Sequence, residues 1–307
     1  MPAELFGERY KFLPKEDVLT YEEISRVATV FARLGVRKIR LTGGEPLLRN
    51  GVHNLVSLLA SIPGIEDLAM TSNGYLLSEQ ASALAKAGLH RITVSLDSLA
   101  DEVFGVMNGR GYGVERVIQG IAAAEEAGLS PIKIDAVVQR NVNDAGIVDL
   151  ARRFKGTSHI VRFIEYMDVG NINGWRTEQV VPAKEIVQRI NAELPIKPID
   201  PNYFGEVAKR WRYLDGEGEI GVITSVTEPF CQSCTRARLS PDGKIFSCLF
   251  GTEGCDLREP LRTGATDDDL TAIISRTWFK RTDRYSEIRA SLNKPIGQKV
   301  EMYHIGG

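Results

Sequence analysis

Between residues 20 and 168 the chain alternates five times between a short β-branched run and a longer amphipathic run, and this rhythm limits the available folds more than any other feature. "TYEEISRVATVFARLG" reads as a helix: Thr20 and Glu23 form a capping box, Ile24, Val27, Phe31 and Leu34 share a face, and Gly35 ends it. Strands are expected at "VRKIRLTGG", "IEDLAMTSNG", "HRITVSLDS", "IKIDAVVQ" and "HIVRFIEYM", with helical stretches near residues 52–62, 78–87, 114–127 and 144–154. Strands separated by such helices pair in parallel through right-handed crossovers, so the fold class is α/β.

The strands narrow the choice. Parallel strands buried on both faces are nearly unbroken Val, Ile and Leu. Here Lys38, Arg40 and Thr42 alternate with Ile39 and Leu41; Arg91, Thr93, Ser95 and Asp97 alternate with Ile92, Val94 and Leu96; Lys133 and Asp135 alternate with Ile132 and Ile134. An open sheet with one wet face does not need a crossover helix at every step. The pattern therefore favours a curved sheet with helices outside and a polar cavity inside, a wide and incomplete TIM-type barrel. After "EYMDVGNINGW" the rhythm breaks into a connection over 171–182, a helix at "PAKEIVQRINAEL", a Pro-broken loop at "KPIDPNYFG" and hairpin-like strands from about 219. One hairpin, "RARLSPDGKIFSCLF", turns at "PDG", and 266–279 is a final helix. The expected units are a partial barrel over 1–200 and a smaller C-terminal α+β domain over 201–307.

A formal charge of −2 gives no global attraction to nucleic acid or anionic membranes, so neither is expected as a partner and any anion site must be local. No apolar run is long enough to cross a bilayer, and the start lacks the basic-then-apolar pattern of a signal peptide. The expected compartment is the cytoplasm, where clustered cysteines serve as metal or redox ligands more often than as disulfides.

"TGGEP" at 42–46 ends the first strand, where Gly43 and Gly44 let backbone approach a ligand and Glu45 offers a carboxylate. "TSNG", "SLDS" and "EYMD" stand at equivalent strand ends; each alone suits a turn, and four in step suit one shared site. Lys38, Arg40, Lys133 and Arg162 lie on strands; pointing into one cavity they suit a polyphosphate. Arg162 and Met167 differ in strand parity, so a bulge or the strand's end must separate them if both face the cavity.

Three of the four cysteines fall within residues 231–248, Cys231 and Cys234 as C-x2-C and Cys248 after a hairpin. With Cys255 they would close a zinc site; without it they suit an iron–sulfur cluster with one iron open to substrate. Composition leaves both open. Arg236 and Arg238 project to one side of the strand that begins there, and the sequence ends in Gly306 and Gly307.

At "KIRLTGGEPLLR", "FIEYMDVGNINGW", "FCQSCTRARLSPDGKIFSCLF" and the terminal "IGG", the sequence resembles the GTP 3′,8-cyclases of molybdenum-cofactor (molybdopterin) biosynthesis, a family of the radical S-adenosylmethionine superfamily. The resemblance implies an incomplete (β/α)6 barrel with its first strand missing here, followed by a smaller domain carrying a 4Fe–4S cluster. It implies that Gly43, Gly44, Glu45, Ser95 and Met167 hold S-adenosylmethionine, that Arg40, Thr71, Lys133, Arg236 and Arg238 contact GTP, and that Arg162 lies near the reacting groups. Cys231, Cys234 and Cys248 would ligate the cluster, whose open iron binds the guanine, leaving Cys255 spare. Gly306 and Gly307 would reach into the barrel and assist the chemistry. The implied reaction abstracts the ribose 3′ hydrogen of GTP with a 5′-deoxyadenosyl radical and closes the carbon radical onto guanine C8. A low-potential electron donor and a downstream cyclic pyranopterin monophosphate synthase are the implied partners. In the family a second 4Fe–4S cluster, the radical-generating one, is held by a C-x3-C-x2-C segment directly ahead of "MPAE". The chain as given is expected not to cleave S-adenosylmethionine without that segment, and to expose a strand edge prone to homodimeric association. A GTP-binding or zinc-stabilised module without enzymatic activity is the alternative.

Overall fold

The structure, a computed structural model, describes residues 13–171, 173–289 and 299–306. Helix α1 (Tyr21–Arg33) opens with the expected capping box: Glu23 N donates to Thr20 Oγ1 at 3.1 Å and Thr20 N donates to the Glu23 carboxylate at 2.7 Å. The repeating units follow as β1 (Lys38–Leu41), α2 (Val52–Ala60), β2 (Asp67–Ser72), α3 (Leu77–Lys86) and β3 (Arg91–Ser95). Next come α4 (Asp101–Asn108), α5 (Val114–Glu126), β4 (Lys133–Val138), α6 (Ile147–Phe154) and β5 (Ile160–Glu165). Strands β1 to β5 pair in parallel and in chain order, as the crossover pattern requires.

Two elements depart from expectation. Helix α4 was not anticipated, because its eight residues end at "NGRG", a breaker-rich stretch. The Pro-containing segment at 196 is partly a strand: after α7 (Ala183–Glu193) come β6 (Ile196–Ile199), β7 (Ala208–Tyr213) and β8 (Glu219–Ile223). Strand β8 adds in parallel to β5, and β7 and β6 continue antiparallel, giving the order β1-β2-β3-β4-β5-β8-β7-β6. Pro198 is tolerated because β6 is an edge strand with no ladder to donate to on its outer side. The sheet thus runs on past residue 200, where a domain division was expected, because β8 pairs with β5 and the β6–β7 hairpin extends the sheet from β8.

Alternation decides what lies on each face. Ile39, Leu68, Met70, Ile92, Val94, Ile134, Val161 and Phe163 join the core formed with the outer helices. Fully burying each such side chain contributes about 2 kcal/mol. A second core, from Leu19, Val27, Val30, Ile245, Leu257, Leu261, Leu270 and Ile274, fastens the C-terminal unit to α1. That unit holds the small sheet β9 (Arg238–Leu239), β10 (Lys244–Phe246) and β11 (Cys255–Asp256), then α8 (Arg258–Arg262), α9 (Asp267–Phe279), α10 (Tyr285–Ile288) and α11 (Met302–Ile305). No helix among the described residues is long and apolar enough to cross a membrane.

Candidate active site

The polar alternation becomes a ladder across the inner face of the sheet. Register sets Thr71, Thr93 and Lys133 in one row and Ser95, Asp135, Arg162, Gly221 and Arg210 in the next. Arg40 Nη1 reaches across from β1 and donates to Thr71 Oγ1 at 2.8 Å and Thr93 Oγ1 at 2.9 Å. Arg162 grips Asp135 through Nε at 2.6 Å and Nη2 at 2.7 Å. The space for Arg162 comes from Gly221: a Cβ there would lie 3.1 Å from Arg162 Cγ and 3.2 Å from Ala208 Cβ.

This face carries more positive charge than its carboxylates answer. Asp67 pairs with Arg91 and with Lys38, the latter at 3.2 Å, and Glu219 pairs with Arg210 at 2.6 Å. Lys133 forms no ion pair among the described residues. Burial, then the charges of Arg162, Arg91, Lys38 and Arg40, bring it down to about 8. Burial and the Arg162 charge likewise bring Arg40 to about 10. Lys133 and Arg162 line a cavity of about 90 Å³ with Arg91, Tyr203, Arg210 and Glu219.

The strand ends bring the other expected residues to one rim. Gly43 has φ +146° in the loop after β1, and Gly44 is exposed beside it. Glu45 accepts from Ser72 Oγ at 2.9 Å, Asn73 N at 2.7 Å and Leu47 N at 3.0 Å, which ties this loop to the end of β2; burial raises its pKa. Ser95 closes β3, and β5 ends at Glu165, so the end of the strand lies between Arg162 and Met167. Asp97, pushed up to about 6 by burial, accepts from Val137 N at 2.8 Å.

Sequence reasoning undervalued Asp135, Thr93 and Glu165. The first two were visible as polar positions on inward faces, but their service to the arginines was not. Glu165 is fully buried and accepts from Ala183 N, Val226 N and Thr227 N at 2.8–2.9 Å and from Thr227 Oγ1 at 2.5 Å. It fastens β5 to α7 and to the segment that leads from β8 into the cysteines.

All four cysteines are free and partly buried. A single turn over Cys231–Ser233 sets Cys234, whose sulfur receives Arg236 Nε and Nη2, each at 3.3 Å. Burial would raise the Cys234 thiol, but the Arg236 charge and hydrogen bonds from Arg236 and Arg281 bring it to about 7. Burial raises Cys248, which also feels the charges of Arg238 and Cys231. Arg238, lowered to about 10 by burial and by Arg236, has Cys248 and Cys234 as its counter-charges. Among the described residues no set of three or more His, Cys, Asp or Glu side chains is drawn together tightly enough to hold a metal ion. Cys255 pairs with Ile245, which pairs with Leu239, whereas Arg238 pairs with Phe246. Opposed residues share a sheet face, so Cys255 stands on the face away from Arg238.

Gly306 is buried with φ +71°, and a Cβ on it would strike Thr42. The tail therefore does reach the "TGGEP" loop, while Gly307 lies outside the described residues.

The partial parallel barrel with its polar constellation at the strand ends belongs to the radical SAM class. Residues 6–154 match the Radical SAM superfamily and 159–287 match Molybdenum Cofactor Synthesis C. A GTP 3′,8-cyclase of Acidothermus cellulolyticus is 49% identical over 331 residues, covering 100% of this chain and 91% of that protein. Those of Staphylococcus epidermidis and Xanthomonas campestris pv. campestris are 46% and 47% identical, again over 100% of this chain and 91% and 89% of their own lengths. The chain belongs to the GTP 3′,8-cyclase family.

Proposed function

We propose that this chain binds GTP across the inner face of the barrel and S-adenosylmethionine at the strand-end rim, and serves the cyclisation of GTP in molybdenum-cofactor biosynthesis. The observation that carries this, beyond kinship, is the uncompensated charge around Lys133: a half-buried lysine among arginines with no ion-pair partner among the described residues is stabilised when a polyanion supplies the missing charge. Arg40 and Arg162 are fixed before substrate arrives, Arg40 by Thr71 and Thr93 and Arg162 by Asp135, so little orientation entropy is lost on binding. Gly43, Gly44, Glu45, Ser95 and Met167 form the rim that receives the methionine and ribose of S-adenosylmethionine.

Cys231, Cys234 and Cys248 suit a 4Fe–4S cluster, with Cys255 left out by its sheet face. Arg236 and Arg238 balance the thiolates and meet the nucleotide. Bound S-adenosylmethionine and iron–sulfur clusters supply the radical chemistry; the residues here orient, neutralise phosphate and exclude water. A low-potential electron donor and a cyclic pyranopterin monophosphate synthase complete the reading, in a cytoplasmic setting.

Calorimetric titration with GTP tests it. One equivalent should bind, and Lys133→Met should weaken affinity at least tenfold at unchanged stoichiometry. GTP affinity that Lys133→Met leaves intact sinks the assignment of this face. Iron and sulfide analysis after anaerobic purification separates the cluster from zinc at the three thiols.

A further inference from the structure

The residues that carry the tail to the rim are held by one short turn. Lys299 Nζ donates to Asp168 Oδ2 at 2.7 Å and to the Asp168 carbonyl at 2.8 Å. Asn171 Nδ2 donates to the Lys299 carbonyl at 2.6 Å and to Glu301 Oε1 at 3.0 Å. Asn171 N adds a bond to Glu301 Oε1 at 2.9 Å, and Lys299 N donates to Asn171 Oδ1 at 3.1 Å. Between them Gly170 has φ +67°, and a Cβ there would run into the Glu301 carboxylate. This turn directly follows Met167 at the end of β5.

The Lys299–Asp168 end of this contact is largely buried and chemically matched, whereas the Asn171–Glu301 bonds lie at the surface. Lys299 is 9% exposed, and its ammonium lies 4.4 Å from the centre of the Tyr285 ring. The Asp168 carboxylate also accepts from the Tyr285 hydroxyl and pairs with Arg289 at 2.7 Å. Asp168 therefore keeps partners if Lys299 is removed, whereas the tail loses its buried ion pair. Further along, Val300 N donates to the Gly251 carbonyl at 3.2 Å and His304 Nε2 lies 2.9 Å from Asp242 Oδ1. Gly306 then rests against Thr42.

We infer that Asp168 and Asn171 are positioning residues that dock the C-terminal tail, setting Gly306 against the Thr42–Gly43 loop from the same turn that presents Met167. This rests on the reading of that rim as the S-adenosylmethionine site. Neither residue needs to touch a substrate; each acts through the tail. The coupling runs through one turn, which follows Met167 and holds the start of the tail at Asp168 and Asn171.

Hydrogen–deuterium exchange of the peptide spanning 299–306 tests the docking directly. In Lys299→Met, Asn171→Ala and Asp168→Asn the tail amides should exchange at least tenfold faster, with β1 to β5 unchanged, and Lys299→Arg should restore part of the protection. In the holoenzyme the same variants should lower kcat at least tenfold with KM for GTP within twofold. Tail exchange within twofold of the parent in the first two variants, or equal loosening of the whole sheet, overturns the docking. A loosened tail with unaltered kcat upholds the docking and removes the tail from the reaction, which is a failure of the site reading instead.

Discussion

The arginines of the barrel and those beside the cysteines are held in opposite ways. Arg162 is buried against its own carboxylate, Asp135, with side-chain exposures of 11% and 17%. Arg238 has no carboxylate partner among the described residues, and the charges nearest to it belong to Cys248 and Cys234. Arg40 and Arg162 in the barrel are thus preset by the fold, whereas Arg236 and Arg238 depend on what the thiols are doing. A phosphate site can be built and waiting; a thiolate site is completed only when the sulfurs are deprotonated by a ligand.

The largest expected effect breaks the second arrangement. Cys248→Ser should abolish bound iron and sulfide at this site, as read by metal analysis, while GTP affinity of the barrel face falls far less. Loss of both together contradicts two independently organised regions. Next, Asp135→Leu leaves Arg162 buried and unpaired, which should cost about 3 kcal/mol in urea unfolding. Asp135→Leu with Arg162→Met should recover most of that stability without recovering GTP affinity. A double variant no more stable than the single one shows that the pair is not what holds Arg162.

Lys133 gives the next effect, and its sign follows from linkage. Its folded value, about 8, lies below the ordinary 10.5, so below pH 8 both states are protonated and the folded chain bears the whole penalty. Between about pH 8 and 10.5 the unfolded chain binds a proton that the folded chain lacks, and this residue's contribution to stability rises with pH. Lys133→Met should remove that rise and stabilise the chain by roughly 2 kcal/mol at pH 7. GTP affinity in the parent should fall as pH passes 8. The smallest effect lies outside both regions: Arg33 and Asp267, at 2.9 Å and 63% and 34% exposed, join α1 to α9. Arg33→Ala should cost about 0.3 kcal/mol, within the range of solvent-screened pairs, and leave both sites unaltered.

The same contrast explains what could be foreseen. Alternation at Lys38–Leu41, Arg91–Ser95 and Lys133–Asp135 exposed the polar face because a strand's side chains switch sides at every residue, a local rule. Thr93 and Asp135 were on that face in plain view. Their roles stayed hidden because a hydroxyl 53 residues from Arg40 and a carboxylate 27 residues from Arg162 meet their partners only through sheet register. The return of β6 to β8 into the sheet was missed for the same reason: Pro198 reads as a breaker until its strand is known to be an edge. Cys255 shows the converse, since spacing alone admitted it to the thiol group and only the pairing with Ile245 shows that it stands on the sheet face away from Arg238.

By itself the sequence determined the crossover rhythm, the inward polar face and the grouping of three thiols with two arginines, all consequences of local periodicity and short spacing. Only the tertiary structure decided which cations are neutralised and which are left over, and where the tail is moored. Charge balance and docking depend on distances between residues far apart in the chain, and those distances exist only once the strands have paired in register.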